Sequence, residues 1–128
     1  LLWPLAVLLI TTAAAQDSTV AKKPPAKVQY GIASFYANKF NGRLTANGEI
    51  FSQKKMTCAH NSLPLGTYIR VTNLRNKRSV VVKVNDRLHH RNKRLVDLTR
   101  AAAQQLGFIK SGTTRVRVDV LGKKPPSS

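Results

Sequence analysis

The sequence predicts a mainly β domain, a small barrel carrying one short helix, and three observations lead there. Apolar residues recur at every second position in several segments, a single stretch carries helix start and stop signals, and Gly, Asn and Pro turns divide the remainder. At 128 residues the chain has room for one core and not for two.

The N-terminal stretch stands apart from this domain. Leu1 to Ile10 is almost entirely apolar and runs into Thr11-Thr12-Ala13-Ala14-Ala15-Gln16. Such a run is too short to span a bilayer, and Ala13-Ala14-Ala15 fits the small-residue rule of a leader peptidase. Residues 1–15 therefore read as a secretory signal peptide leaving Gln16 at the new terminus, with a retained anchor or a buried helix as the alternative. No cysteine stands at the cleavage site, so a lipid anchor there is not expected. Residues 16–27 form a basic linker containing Lys22-Lys23-Pro24-Pro25, and the same four residues recur at Lys123 to Pro126. The folded unit, 28–121, is thus expected between two basic tails of disordered, polyproline-prone chain, the second being 122–128.

Within that unit Tyr68-Ile69-Arg70-Val71-Thr72-Asn73 alternates apolar and polar side chains, as a strand with one buried face does. Ser79 to Asn85 is apolar on both parities in its first half. Leu74-Arg75-Asn76-Lys77-Arg78 between them is of hairpin length, so these two strands should pair. The helix is expected over Arg100 to Leu106, rich in Ala and Gln, with Thr99 as its N-cap and Gly107 as its stop. Thr114 to Leu121 alternates strictly and gives the last strand.

The charge narrows the partners. Twenty-two Lys and Arg against five Asp and Glu give a formal net charge of +17. On an exported protein such a field faces cell-wall polymers and membrane surfaces. A nucleic-acid role ranks behind these, because the aromatic residues, 6% of the chain, do not interleave with the basic runs as a stacking platform would require. A solvated basic surface with no partner is the bland alternative.

Few acids also mean few candidates for proton chemistry. Glu49 closes Thr45-Ala46-Asn47-Gly48-Glu49, Asp86 closes the apolar run from Val80, and Asp97 precedes the helix; Asp17 and Asp119 look incidental. Cys58, the sole cysteine, excludes an intrachain disulfide. It reads as a small core residue, the alternative being a thiol activated by His60 two positions on.

The segments Gly31 to Tyr36, Phe40 to Glu49, Thr57-Cys58-Ala59-His60, Leu63 to Thr67, Val71 to Leu74, Val84-Asn85-Asp86-Arg87 and Val96 to Thr99 occur in the order seen in the rare lipoprotein A family, and the chain resembles that family across nearly the whole folded unit. The resemblance implies a six-stranded double-psi β-barrel, a fold shared with expansins and family 45 endoglucanases. It implies an endolytic peptidoglycan lytic transglycosylase that cuts between N-acetylmuramic acid and N-acetylglucosamine and leaves 1,6-anhydromuramic ends. It implies Asp86, Glu49 and His60 as catalytic residues converging in one groove, and the family's septal-ring location. Tyr36, Phe35, Arg87, Asn47 and Thr45 are the expected substrate-binding residues, with Phe40 beside the aromatic pair.

Three departures accompany the match. Arg87 is followed by Leu88-His89-His90-Arg91 where the family has Gly-Pro; Cys58 stands where Ala is usual; and the family's lipidation cysteine and C-terminal peptidoglycan-binding repeats have no counterpart in these residues. The altered loop keeps a second function class open, a non-catalytic, expansin-like module that grips glycan without cutting it. A basic protein acting on nucleic acid or membranes is a third.

Each residue also has a plainer reading. Glu49 would be a turn residue paired with a surface cation, Asp86 a turn cap, His60 a hydrogen-bonded structural histidine, and Phe35, Tyr36 and Phe40 core packing. Asp97 reads as structural, bonding backbone amides at the helix entry. His89-His90 among Arg87, Arg91, Lys93 and Arg94 makes a weak metal signal and is read as a solvated basic loop lining the groove. The resulting expectation is an exported, periplasmic or secreted, wall-associated monomer with peptidoglycan strands as partner. It needs no cofactor or metal, no nucleic acid is expected, and no membrane insertion persists after signal cleavage.

Overall fold

A computed structural model describes residues 27–127. The expected signal peptide and all of the linker but Lys27 lie outside them. The elements are β1 (Val28–Phe35), a turn of 3-10 helix at Asn38–Phe40, β2 (Thr57–His60), β3 (Tyr68–Asn73), β4 (Ser79–Asp86), β5 (Val96–Leu98), α1 (Arg100–Leu106) and β6 (Thr114–Gly122). The six strands close in the order β1-β5-β2-β4-β3-β6. The last strand runs one residue beyond the expected boundary, and Lys123 beyond it donates from Nζ to the Leu65 carbonyl at 2.9 Å.

The antiparallel half follows from local sequence. β3 and β4 pair through a hairpin with Ile69 opposite Val82 and Val71 opposite Val80, and β6 lies along the other side of β3 with Val71 opposite Val118. Side chains alternate along each strand. Ile69, Val71, Val80, Val82, Val84, Val116 and Val118 consequently meet inside the barrel, all buried. The parallel pairings, β1 with β5 and β2 with β4, are long-range, and with the antiparallel pairing of β2 and β5 they set Ser34, Asp97, Ala59 and Asp86 side by side across four strands. Just before β5 the Leu95 side chain packs onto Gly31, where an added Cβ would stand 2.7 Å from Cβ of Leu95.

Helix α1 plugs the barrel with Ala102, Ala103 and Leu106. Its termini are as the sequence indicates. Thr99 Oγ1 accepts from the Ala102 amide at 3.3 Å, and Gly107, at φ 82°, donates its amide to the Ala103 and Gln104 carbonyls. Cys58 is fully buried in the same core, where burial pushes its thiol far above the ordinary range. A thiol held protonated is not a nucleophile, so the core reading of Cys58 stands. A smaller apolar cluster of Tyr36, Phe51, Ala59 and Leu88, with Phe40 against it, sits beside the last residues of β1 and β4. None of the described helices is long and apolar enough to cross a membrane.

Candidate active site

Asp86 ends β4, and both of its carboxylate oxygens are held. Tyr36, the residue after β1, donates its hydroxyl to Oδ2 at 2.6 Å, and the Ala46 amide donates to Oδ1 at 2.9 Å. The Tyr36 ring is wedged against Phe51, centroids 4.2 Å apart, and edge-on to Phe40 at 5.8 Å. Burial, and then the bond to Asp86, push its hydroxyl far above the ordinary phenol range, so it remains a donor.

The Ala46 amide reaches Asp86 because Thr45 to Glu49 forms a tight turn. The Thr45 amide donates to the Glu49 carbonyl at 2.7 Å, Gly48 takes φ 87°, and Thr45 Oγ1 donates to Asn47 Oδ1 at 2.6 Å. The Glu49 amide in turn donates to both of those side-chain oxygens at 3.2 Å. Thr45 and Asn47 are thus spent on the turn. The Glu49 carboxylate pins that turn to β4, accepting from Asn85 Nδ2 at 2.9 Å and Lys83 Nζ at 3.3 Å. The Asn85 bond is the main reason its acidity is raised, so Glu49 is held as an anion.

His60 is fully engaged elsewhere. Its Nδ1 faces the amides of Ser62 and Leu63 at 3.2 and 3.3 Å, which makes that nitrogen the acceptor, and Nε2 then donates to Gln29 Oε1 at 2.8 Å. Burial first, then the Arg87 and Lys27 charges, push its pKa down to about 4. The folded value lies below the unfolded one, so this stabilisation is complete above about pH 6.5 and is lost as pH falls towards 4. The melting temperature is therefore expected to drop across that window, by the equivalent of up to about 3 kcal/mol. His60→Gln should lack most of that slope, as thermal melts at stepped pH will read. Glu49 adds a loss of the same sign at lower pH, and Asp97 opposes both.

No hydrogen bond joins Asp86, Glu49 and His60 among the described residues. Glu49 takes its partners from Lys83 and Asn85, one set of alternate side chains of β4, whereas Asp86 belongs to the other set with Val82 and Val84. Around Asp86 two hollows of about 450 and 470 Å³ meet, sharing Tyr36, Phe40 and Asp86, and together they form one open trough. Neither His60 nor Glu49 lines it.

Asp97 does line it, and this corrects its reading as a helix-entry residue. In β5 the residues Val96 and Leu98 are buried in the core and Asp97 points the other way, towards Asp86. Its Oδ1 accepts from Ser34 Oγ at 3.0 Å rather than from a backbone amide, while Thr99 alone caps the helix. Burial is the main cause that raises its pKa; the Asp86 charge adds to it, and Ser34 and Arg94 work against it.

Arg87 straps the site from below, donating from Nη1 to the carbonyls of His60 and Leu63, both at 2.6 Å, and the Leu88 amide donates to Asn61 Oδ1 at 2.7 Å. The loop that departs from the family pattern is therefore anchored. His89, Asn92 and Arg94 line the trough, and the His89 and His90 rings stack at 4.3 Å. No group of three or more metal-ligating side chains occurs among the described residues. Phe35 borders the trough, but its ring also packs edge-on against Phe108 at 5.8 Å and under the Arg100 guanidinium. Sequence reasoning passed over Arg43, Leu44 and Phe51, which wall the other half. Leu44 is 72% exposed, and its one signal is an apolar residue inside a polar loop.

A closed barrel of six strands with two parallel pairings, open at one end into a trough between two carboxyls, defines a double-psi β-barrel protein of the expansin-like kind. Solved structures agree on the fold. The expansin of Clavibacter michiganensis, as a point mutant in complex with cellohexaose, matches with a TM-score of 0.62 at 19% identity, over 80% of this chain and 54% of that one. The Streptomyces papain inhibitor matches at 0.61 and 18%, over 78% and 99%.

The profile of the lytic transglycolase family matches residues 28–118, and the chain belongs to that family. The endolytic peptidoglycan transglycosylase RlpA of Pasteurella multocida is 53% identical over 91 residues, 71% of this chain and 31% of that protein. The probable endolytic peptidoglycan transglycosylase RlpA of a Nostoc species is 55% identical over 95 residues, 73% and 26%. The chain thus spans about a third or less of the length of these relatives.

Proposed function

We propose that the protein cleaves peptidoglycan glycan strands internally as a lytic transglycosylase, between N-acetylmuramic acid and N-acetylglucosamine. The observation that carries this is one trough in which Asp86 accepts hydrogen bonds at both oxygens while the neighbouring Asp97 is biased by burial towards its protonated form. Two carboxyls with opposed environments divide the work of acid and charge stabiliser. The trough is open on both sides of Asp86, which suits a chain cut internally.

In this reading Asp97 gives its proton to the glycosidic oxygen as the bond from muramoyl C1 breaks, and Asp86 stabilises the cationic character at C1. The muramoyl 6-hydroxyl then closes onto C1, and its proton returns to Asp97. No water is consumed. Tyr36 and the Ala46 amide hold Asp86 in place; Glu49, through the turn, and His60, through the 61–63 loop, act as positioning residues. Tyr36, Phe40 and Phe51 would floor the sugar subsites, with Arg87 and Arg94 at the rim. On the same reading the protein works outside the cytoplasm, wall-associated after signal cleavage and acting as a monomer, with the septal ring as the expected site.

Purified protein incubated with peptidoglycan is expected to release fragments ending in 1,6-anhydro-N-acetylmuramic acid, each one water lighter than the hydrolytic product, as mass spectrometry reads directly. Reducing ends would instead mean hydrolysis. Tight binding without release would favour the expansin-like module, which the changed loop after Arg87 supports.

A further inference from the structure

The β3–β4 hairpin lies at the far end of β4 from Asp86, and core side chains separate the barrel surface beside it from the trough, Phe35 on the trough side meeting Phe108 on the other with ring centroids 5.8 Å apart. Beneath the hairpin is a second hollow of about 360 Å³, lined by Arg75, Asn76, Lys110 and Ser111 among others. Arg75 and Lys110 face it from different elements, and neither side chain has a hydrogen-bond or ion-pair partner among the described residues.

Among the described residues no acid answers them. Asp86 and Asp97 line the trough, Glu49 is paired with Lys83 at 3.3 Å, and Asp119 with Arg117 at 3.0 Å. The negative end of α1 also points here, yet its last carbonyl is already covered, since Leu106 accepts from Asn73 Nδ2 at 2.9 Å and Asn76 Nδ2 at 2.8 Å. Carbonyls that would repel an anion are thereby neutralised. Two cations converging on a polar hollow with no counter-charge form a site that attracts an anion.

We propose that this hollow is a second contact point for the wall polymer and takes a carboxylate pendant from it while the glycan occupies the trough. Peptidoglycan carries such groups in two places, on its stem peptides and, where these have been removed, on the lactyl ether of muramic acid. The proposal rests on peptidoglycan being the substrate. A contact outside the trough would hold the enzyme on the polymer without touching the reacting bond.

The test uses the full chain carrying Asp86→Asn, so that binding is measured without cutting. Pull-down on intact sacculi and on amidase-treated sacculi is compared with and without the pair Arg75→Ser and Lys110→Ser, at low salt where the field is least screened. The pair is expected to weaken binding by about fivefold. A loss confined to intact sacculi assigns the stem-peptide carboxylate, a loss confined to amidase-treated sacculi assigns the muramoyl one, and a loss on both shows that the hollow takes either. A second pair, Lys54→Ser with Lys55→Ser, removes equal charge from another part of the surface. Equal losses from the two pairs, or no loss from the first, overturn the site. Failure of the parent chain to bind either form overturns the wall polymer as partner, while binding without anhydro products from the unsubstituted chain counts against the reaction alone. Melting temperatures of the variants show whether the hairpin is intact.

Discussion

Replacing Asp86 by asparagine should lower the rate of anhydro-fragment release by about 10²–10³-fold while moving the melting temperature by no more than a few degrees. The asymmetry follows from the two bonds at this residue. An asparagine can keep its Oδ1 on the Ala46 amide and turn its Nδ2 to the Tyr36 hydroxyl, which accepts as readily as it donates. The fold keeps both contacts and the site loses its negative charge, so binding to sacculi should survive. Tyr36→Phe separates positioning from charge: the ring packing on Phe51 persists, the bond at 2.6 Å goes, and a smaller loss in kcat is expected. Wild-type release by the asparagine variant would remove Asp86 from the mechanism.

Asp97→Asn should reduce release by about 10²–10⁴-fold, the range for loss of a positioned proton donor. It should also raise the melting temperature at neutral pH. The folded-state pKa of Asp97 is raised, so its contribution to stability is complete below the unfolded carboxylate range and is lost as pH rises through the folded value. The ionised form is the one that burial penalises, and asparagine lifts that penalty while still accepting from Ser34. Loss of activity with gain of stability is what a merely structural aspartate would not give. The wild-type rate should correspondingly fall on the alkaline side of a pKa above the ordinary aspartate range, and that limb should be missing from the residual activity of the variant. A variant that loses both stability and activity would return Asp97 to a structural role.

The antiparallel hairpin, the last strand and the helix were legible because their signals are local: alternation along Tyr68–Asn73 and Thr114–Gly122, a threonine before Arg100, a glycine after Leu106. The strands β1, β2 and β5 were not legible from periodicity. β2 and β5 are only four and three residues long, and their parallel partners are fixed by closure of the barrel rather than by anything nearby in the chain. The site was half visible. Asp86 and Tyr36 are legible in the sequence, whereas Asp97, which also lines the trough, is not, because Asp97-Leu98-Thr99 resembles a helix start. The discriminating sign was present in Val96-Asp97-Leu98, an alternating triplet whose middle residue must face away from the core. His60 and Glu49 were placed beside Asp86 by resemblance alone, and the hydrogen bonds show them holding the loops on either side of it.

One of the two donors that fix Asp86 is a main-chain amide. A side-chain contact can be erased by a single base change, whereas the Ala46 amide survives every replacement at that position except proline. The contact is inherited through the length and shape of the turn and not through the identity of any letter in it. Drift at position 46 should therefore be nearly free, while insertion or deletion of a single residue between Thr45 and Glu49 would withdraw the amide from the carboxylate. Across homologues the mark of this contact would be a constant spacing, invisible to a tally of identical residues.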